Sequence, residues 1–385
     1  MKILNIIQCT DLGGMEQASL RLMQSLQERG HRFKVISLNP LGALKPQLDA
    51  AGIEAVGLDY KGVLGWRSVP AFHRIVRNEE ADALIMTGSN LLAMLALGKV
   101  CRHRRLLAMH FHHSVRPSWQ WMLFYHLAGS RFNSISFPSD FVRLEAESIY
   151  RFIRPKTCTI RNPLTAPAPH DRQEVMAAKN RLGLPSNTVL VGNAGWLIAR
   201  KRFDVFLRAA AVIAKTRPEI RFAIAGDGPE RPKLQAMADG LGLAGRIHWL
   251  GWISTMRDFY ISLDVLLFNS DWDAFGNTPV EAMTYGIPVV ASVENGGLKE
   301  VIPDERFGYL FSEHDPQRLA AAVLDCIAQK GCAVNGRDRA VALSDPERIA
   351  GEVEKILESP VRDAAISPTR LHRLKQSALD TRTMR

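Results

Sequence analysis

Cysteine is scarce in this 385-residue chain. The five present, Cys9, Cys101, Cys158, Cys326 and Cys332, are odd in number, scattered and never in CxxC spacing. That pattern gives neither a disulfide framework nor a cysteine zinc site. Long apolar runs are missing as well: LLAMLALG at 91–98 soon meets Lys99 and Arg102, too soon for a bilayer span. The opening MKILNIIQCTDLGG has one basic residue and a brief apolar run, too little for a signal peptide, so a cytoplasmic protein is expected. The first glycine turn, CTDLGGME, lacks GxGxxG, which counts against a nicotinamide enzyme. No nucleic-acid reader motif is present either, and no nucleic-acid partner is expected.

What the chain does have is length and an uneven charge. A chain of this size exceeds one ordinary core, so two domains are expected. Residues 1–165 carry 21 lysines and arginines against 12 acids, whereas the rest carries 28 against 27. The basic excess therefore lies almost wholly in the first half, where it would attract phosphate on a substrate or on an anionic membrane surface.

Short apolar runs alternate with amphipathic segments. KILNIIQ, RFKVISL, ADALIMTG, RLLAMH and FNSISF read as strands, with helix-like EQASLRLMQSLQERG and VPAFHRIVRNEE between them. After the proline-rich RNPLTAPAPH at 161–170, a candidate linker, the alternation restarts with TVLVGNAG, RFAIAG, RIHWLG, LDVLLFNS and PVVAS. The expectation is an α/β protein of two doubly wound Rossmann-like domains, each with a parallel sheet, facing an interdomain cleft. The segment SDPERIAGEVEKILES at 344–359 reads as a helix, and 360–385 as a basic, mobile or surface tail.

Within DAFGNTPVEAMTYG, Thr278 reads as an N-cap, Pro279 as the first helical residue and Glu281 as its capping-box partner. Capping leaves Asp273 and the Phe275-Gly276-Asn277 loop unexplained. Two acids beside amides at a helix start fit neutral sugar or ribose hydroxyls better than bare phosphate.

The run FNSDWDAFGNTPVEAMTYGIPVVAS resembles the signature of the retaining family-four glycosyltransferases of the GT-B fold, in which an acid, seven residues and a glutamate precede AM..G.PVV. The segments GGMEQASLRLMQSLQERGH, GWLIARKRFD, IAGDGPE and IHWLGW follow the family's order, and the resemblance covers most of the chain. It implies that residues 1–165 bind the acceptor and 166–343 the nucleotide-sugar donor, a UDP- or GDP-sugar, while the helix at 344–359 crosses back to the first domain.

Residue by residue, it implies that Glu281 accepts from the ribose and Asp273, usually Glu in the family, contacts the donor sugar. Lys201 would neutralise the pyrophosphate, helped by the amides around Thr278. The loop at Gly14 would approach the donor, with Glu16 opening the next helix. Base contacts would come from around Trp252 and from the loop at Gly226. An arginine commonly follows the position of Gly195, but this chain has Trp196, and Arg200 or Arg202 is the substitute. The histidine near the reacting carbon aligns best with His112, with His110 and then His113 as rivals.

No metal or other cofactor is expected. The three histidines lack companions, and Asp271-Trp272-Asp273 matches the manganese-binding DxD of a different glycosyltransferase fold by coincidence. The mixed stretch RPSWQWMLFYHLAGSR at 116–131 reads either as an interfacial membrane patch or as a core helix burying Trp119 and Phe124. The implied function is transfer of a sugar to a glycan hydroxyl, on a lipid-diphosphate acceptor at the inner membrane face, in cell-surface polysaccharide assembly. An inert scaffold or partner subunit on the same fold, or a nucleotide-sugar epimerase, are the alternatives.

Overall fold

The computed structural model describes residues 1–59, 68–97, 104–109, 117–253, 256–329 and 331–359. Its first half is built on seven parallel strands: β1 (Lys2–Ile7), β2 (Arg32–Ser37), β3 (Glu54–Gly57), β4 (Ala83–Thr87), β5 (Arg104–Ala108), β6 (Ser134–Phe137) and β7 (Thr157–Thr159). Their spatial order is β3-β2-β1-β4-β5-β6-β7. The second sheet holds β8 (Leu190–Ala194), β9 (Arg221–Ala225), β10 (Ile247–Gly251), β11 (Val265–Asp273), β12 (Val289–Gly296) and β13 (Tyr309–Phe311), in the order β10-β9-β8-β11-β12-β13.

Helices cover both faces of each sheet, so the central strands read as continuous apolar runs. All five residues of β4, ALIMT, are buried, and so are all five of β8. In each sheet the order reverses beside the first strand, β1 or β8. The loops leaving the carboxyl ends diverge there and open a crevice.

Every strand expected from the apolar runs is present. The short edge strands β3, β7 and β13 escaped the reading, because three or four residues at a half-exposed edge leave little periodic signal. Residues 161–170 hold no regular structure and lead to the helix Arg172–Arg181, whose Asp171 and Glu174 form a capping box. The mixed segment folds as the helix Ser118–Arg131, and it has two faces. Trp121, Phe124 and Tyr125 are buried together, with the Trp121 and Phe124 rings packed edge to face, whereas Trp119, Met122 and Leu123 are exposed. No helix among the described residues is long and apolar enough to cross a membrane.

The helix Pro346–Glu358 follows the second half in sequence but packs on the first. Its Ile349, Ala350, Val353 and Leu357 join the apolar cluster of Ile3, Leu20 and Met23 on the first sheet. Glu354 on its polar side accepts from Arg29 at 2.6 Å and lies 2.9 Å from His31 Nε2. Ile349 is fully buried, so Ile349→Ala is expected to cost about 2–5 kcal/mol, read as a lowered urea midpoint of the unfolding transition.

Candidate active site

Strand β11 runs nine residues, past the end of β8, with Asp273 opposite Gly296 of β12. The chain then turns through Gly276, whose φ of 86° is left-handed and favours glycine. That turn aims the Gly276 amide at Asp273 Oδ1, 2.7 Å away, with the Phe275 amide at 3.3 Å. On the other oxygen, Lys201 Nζ donates to Oδ2 at 2.5 Å. Burial would raise the Asp273 carboxyl, but the Lys201 ammonium, the Gly276 amide and the nearby Arg200 outweigh it and hold the group below its ordinary value.

The helix expected at Thr278 starts earlier. Gly276 is its N-cap and the helix spans Asn277–Thr284, with no side-chain cap. The left-handed glycine turns the chain two residues sooner than the threonine would. Glu281 is therefore not a capping-box residue. Its Oε1 accepts from Arg21 at 2.6 Å and its Oε2 from the Tyr260 hydroxyl at 2.8 Å. Arg21 comes from the helix Gly14–Glu28 of the first half. Burial works against the Arg21 charge, yet the Glu281 carboxylate beside it raises its pKa above the usual arginine value. Neither Arg21 nor Tyr260 stood out in the sequence, because pairing between separate elements, 260 and 21 residues from Glu281, has no local signature.

A cavity of about 900 Å³ opens between the two halves. Gly14 and Glu16 line it from the first half, and Trp196, Arg200, Lys201 and Trp252 from the second. Asp273, Phe275, Asn277 and Thr278 close the wall, although the Phe275 ring itself is buried in the core. Gly226, Gly276 and Glu281 are not among the lining residues. Gly226 instead serves the backbone: a Cβ there would lie 2.0 Å from the Gly195 carbonyl oxygen, so only glycine lets these two strand ends meet.

Arg200 donates to the Trp272 carbonyl at 2.8 Å. Arg202 is held by Asp204 and Asp271, at 3.0 and 2.9 Å, and does not line the cavity. Of the two proposed substitutes for the family arginine, only Arg200 is thus on the wall. His110, His112 and His113 lie outside the described residues.

Two further groups give the cavity its first-half chemistry. The Cys9 thiol donates to Glu16 Oε1 at 3.4 Å, and burial raises both pKa values, the thiol to about 12. Across the gap, Asn277 donates to the Gly14 carbonyl at 3.3 Å and accepts from Asn162 at 2.7 Å. These asparagines join the halves at the cavity floor.

Lys201 and Asp273 are mostly buried, at 18% and 14% side-chain exposure. Lys201→Met leaves a buried carboxylate without its cation and is expected to cost about 3–5 kcal/mol. Adding Asp273→Asn to that variant should recover much of the loss, a coupling that a double-mutant cycle in urea measures.

Two family models match the chain in sequence order: Glycosyltransferase Family 4 over residues 12–165, and Glycosyl transferases group 1 over residues 176–341. Among curated relatives, a D-inositol 3-phosphate glycosyltransferase of Streptomyces scabiei is 34% identical over 160 residues, 39% of this chain and 36% of that protein. The lipopolysaccharide core biosynthesis glycosyltransferase LpsE of Rhizobium meliloti is 29% identical over 154 residues, 40% of this chain and 44% of that one. The chain thus spans less than half the length of both relatives. Among solved structures, Anabaena HepE in complex with UDP and glucose superposes with a TM-score of 0.80 at 21% identity, covering 93% of this chain and 100% of that one. With two facing parallel sheets, the interdomain cavity and both family models in order, this chain belongs to the family-four, group 1 glycosyltransferases and has their GT-B fold.

Proposed function

We propose that the chain moves a sugar from a nucleotide-sugar donor, UDP- or GDP-linked, to a hydroxyl of a glycan acceptor with retention of anomeric configuration and without a cofactor. The observation that carries this reading is the Lys201–Asp273 pair on the cavity wall, beside the first-turn amides of the helix Asn277–Thr284. Such amides have no partner within their own helix and point their dipoles outward. A donor diphosphate laid against Lys201 and these amides gains stabilisation as its charge grows in the transition state.

Asp273, kept ionised by its partners, accepts hydrogen bonds from the sugar hydroxyls. The bond from the anomeric carbon to the diphosphate oxygen breaks, and the acceptor oxygen bonds to that carbon on the same face. The acceptor proton passes to the leaving phosphate. His112 remains the proposed group near the reacting carbon. Glu281 serves the ribose once Arg21 shares or releases its carboxylate. Trp196 and Trp252, at 56% and 59% exposure on the cavity rim, offer flat faces to a base or sugar. Closure of the cleft around the donor would exclude water and protect it from hydrolysis.

The fold shared with the UDP complex of HepE supports a UDP-sugar as the first donor to test. Similarity to a lipopolysaccharide core enzyme supports surface-polysaccharide assembly as the setting. The exposed Trp119, Met122 and Leu123, in the half with the basic excess, support a lipid-diphosphate acceptor at an anionic membrane surface on the cytoplasmic side.

Thermal melting with UDP, GDP, ADP, CMP and NAD tests the donor site. One nucleoside diphosphate at a hundred times its dissociation constant should add about 2.7 kcal/mol, and the shift should vanish in Lys201→Ala. No shift with any nucleotide would favour the inert scaffold. Binding to anionic vesicles should weaken as salt rises and fall further in a Trp119→Ser, Leu123→Ser double variant. Salt-insensitive binding would count against the membrane surface.

A further inference from the structure

Behind the donor wall, the carboxyl ends of β11 and β12 and the segment after β13 bring Asp271, Glu294 and His314 together. One ligand atom from each lies within 4.8 Å of the others. None of the three lines the interdomain cavity.

The His314 side chain is 7% exposed, and its Nε2 is buried with no hydrogen-bond partner. That nitrogen nevertheless lies 3.3 Å from Asp271 Oδ1 and 3.6 Å from Glu294 Oε1. The other ring nitrogen is fixed. Nδ1 is 2.7 Å from Ser292 Oγ, which itself accepts from Asn269 Nδ2 at 2.7 Å. A ring that donates Nδ1–H to Ser292 turns a bare Nε2 lone pair towards two carboxylates. Left alone, three electron-rich groups repel each other; a cation among them turns that repulsion into coordination.

We propose that Asp271, Glu294 and His314 bind one divalent first-row transition cation of the zinc or manganese class. One imidazole with two carboxylates suits such an ion, whereas magnesium and calcium take oxygen ligands. Arg202 donates to Asp271 Oδ1 at 2.9 Å, and a carboxylate that ligates a metal is commonly held by such an outer partner. Its single charge does not cancel two carboxylates, so the site stays negative. Asp271 and Glu294 are 41% and 49% exposed, which leaves an entry path and room for water to complete the shell.

The ion touches no substrate. It clamps β11 to β12 two residues before Asp273, where Asp273 faces Gly296, and so holds the strand extension that carries the acid.

The competing arrangement is a doubly protonated His314 paired with the two acids, which takes up no metal. Titration of chelator-treated, tag-free protein with Co2+, followed by absorption, and with Zn2+, followed by calorimetry, separates the two. We expect one equivalent bound, a higher Tm with metal, and loss of both in His314→Gln and in Glu294→Gln, while His248→Gln binds normally and excess Mg2+ does not compete. Absence of saturable one-equivalent binding overturns the proposal. So does binding that survives in both variants, since the ion would then sit on other histidines. If His314→Gln does not fold, Glu294→Gln, at a half-exposed position, decides the matter alone.

Discussion

A carboxylate buried at the end of a strand sets the terms for the whole cavity wall. Asp273 keeps its charge only because an ammonium and a backbone amide converge on it, and an uncompensated charge in that position would be costly. The amide arrives because Gly276 accepts a left-handed turn. The ammonium arrives because Lys201 sits beside the β11 extension. Phe275, buried between them and the core, fixes the loop so that these contacts recur at one geometry. The same turn starts the helix Asn277–Thr284, so the acid and the helix-start amides are placed by one short segment of chain, and Lys201 meets it from the turn Ala199–Lys201.

The two halves meet through polar contacts that use this same segment. Asn277 bridges to Gly14 and Asn162, the Ala274 carbonyl accepts from Ser139 at 2.6 Å, and Glu281 takes Arg21. Glu300 adds a second seam, accepting from the Phe141 amide and from Arg161. Trp272 adds an apolar contact by joining the first half's core cluster, but an interface rich in hydrogen bonds and partly solvated ion pairs favours relative domain motion over permanent fusion. Asn277 and Ala274 both line the cavity and bond across to the first half, so the cavity wall and the interface between the halves share residues.

Much of the architecture was legible because its signals are local. Apolar runs of five or six residues bounded by turns marked the central strands, and the ordered motifs marked the fold. The edge strands were too short to register. At the site, Asp273 stood out from its neighbours and Lys201 only through the family resemblance, and the structure brings them into contact. The cap of the following helix was misread: the threonine, proline and glutamate spacing fits a capping box, but Gly276 accepts a backbone state that other residues rarely adopt and begins the helix first. The partners of Glu281 had no sequence signal, since Arg21 lies 260 residues away and Tyr260, 21 residues away, sits on a separate helix. Arg202 shows the converse limit, since its place in RKR says nothing of Asp204 and Asp271, which take its guanidinium.

The helix Pro346–Glu358 has a consequence for how the molecule is made. It supplies part of the apolar cover of a sheet whose first strand begins at Lys2, so contacts that complete the first half join the two ends of the described chain. Synthesis runs from the amino end, and the face around Ile3, Leu20 and Met23 must therefore emerge without this cover and wait for nearly the whole chain. Closing so long a loop is slow. Until the helix Pro346–Glu358 is made, that apolar face of the nascent first half stays open to solvent and to other chains.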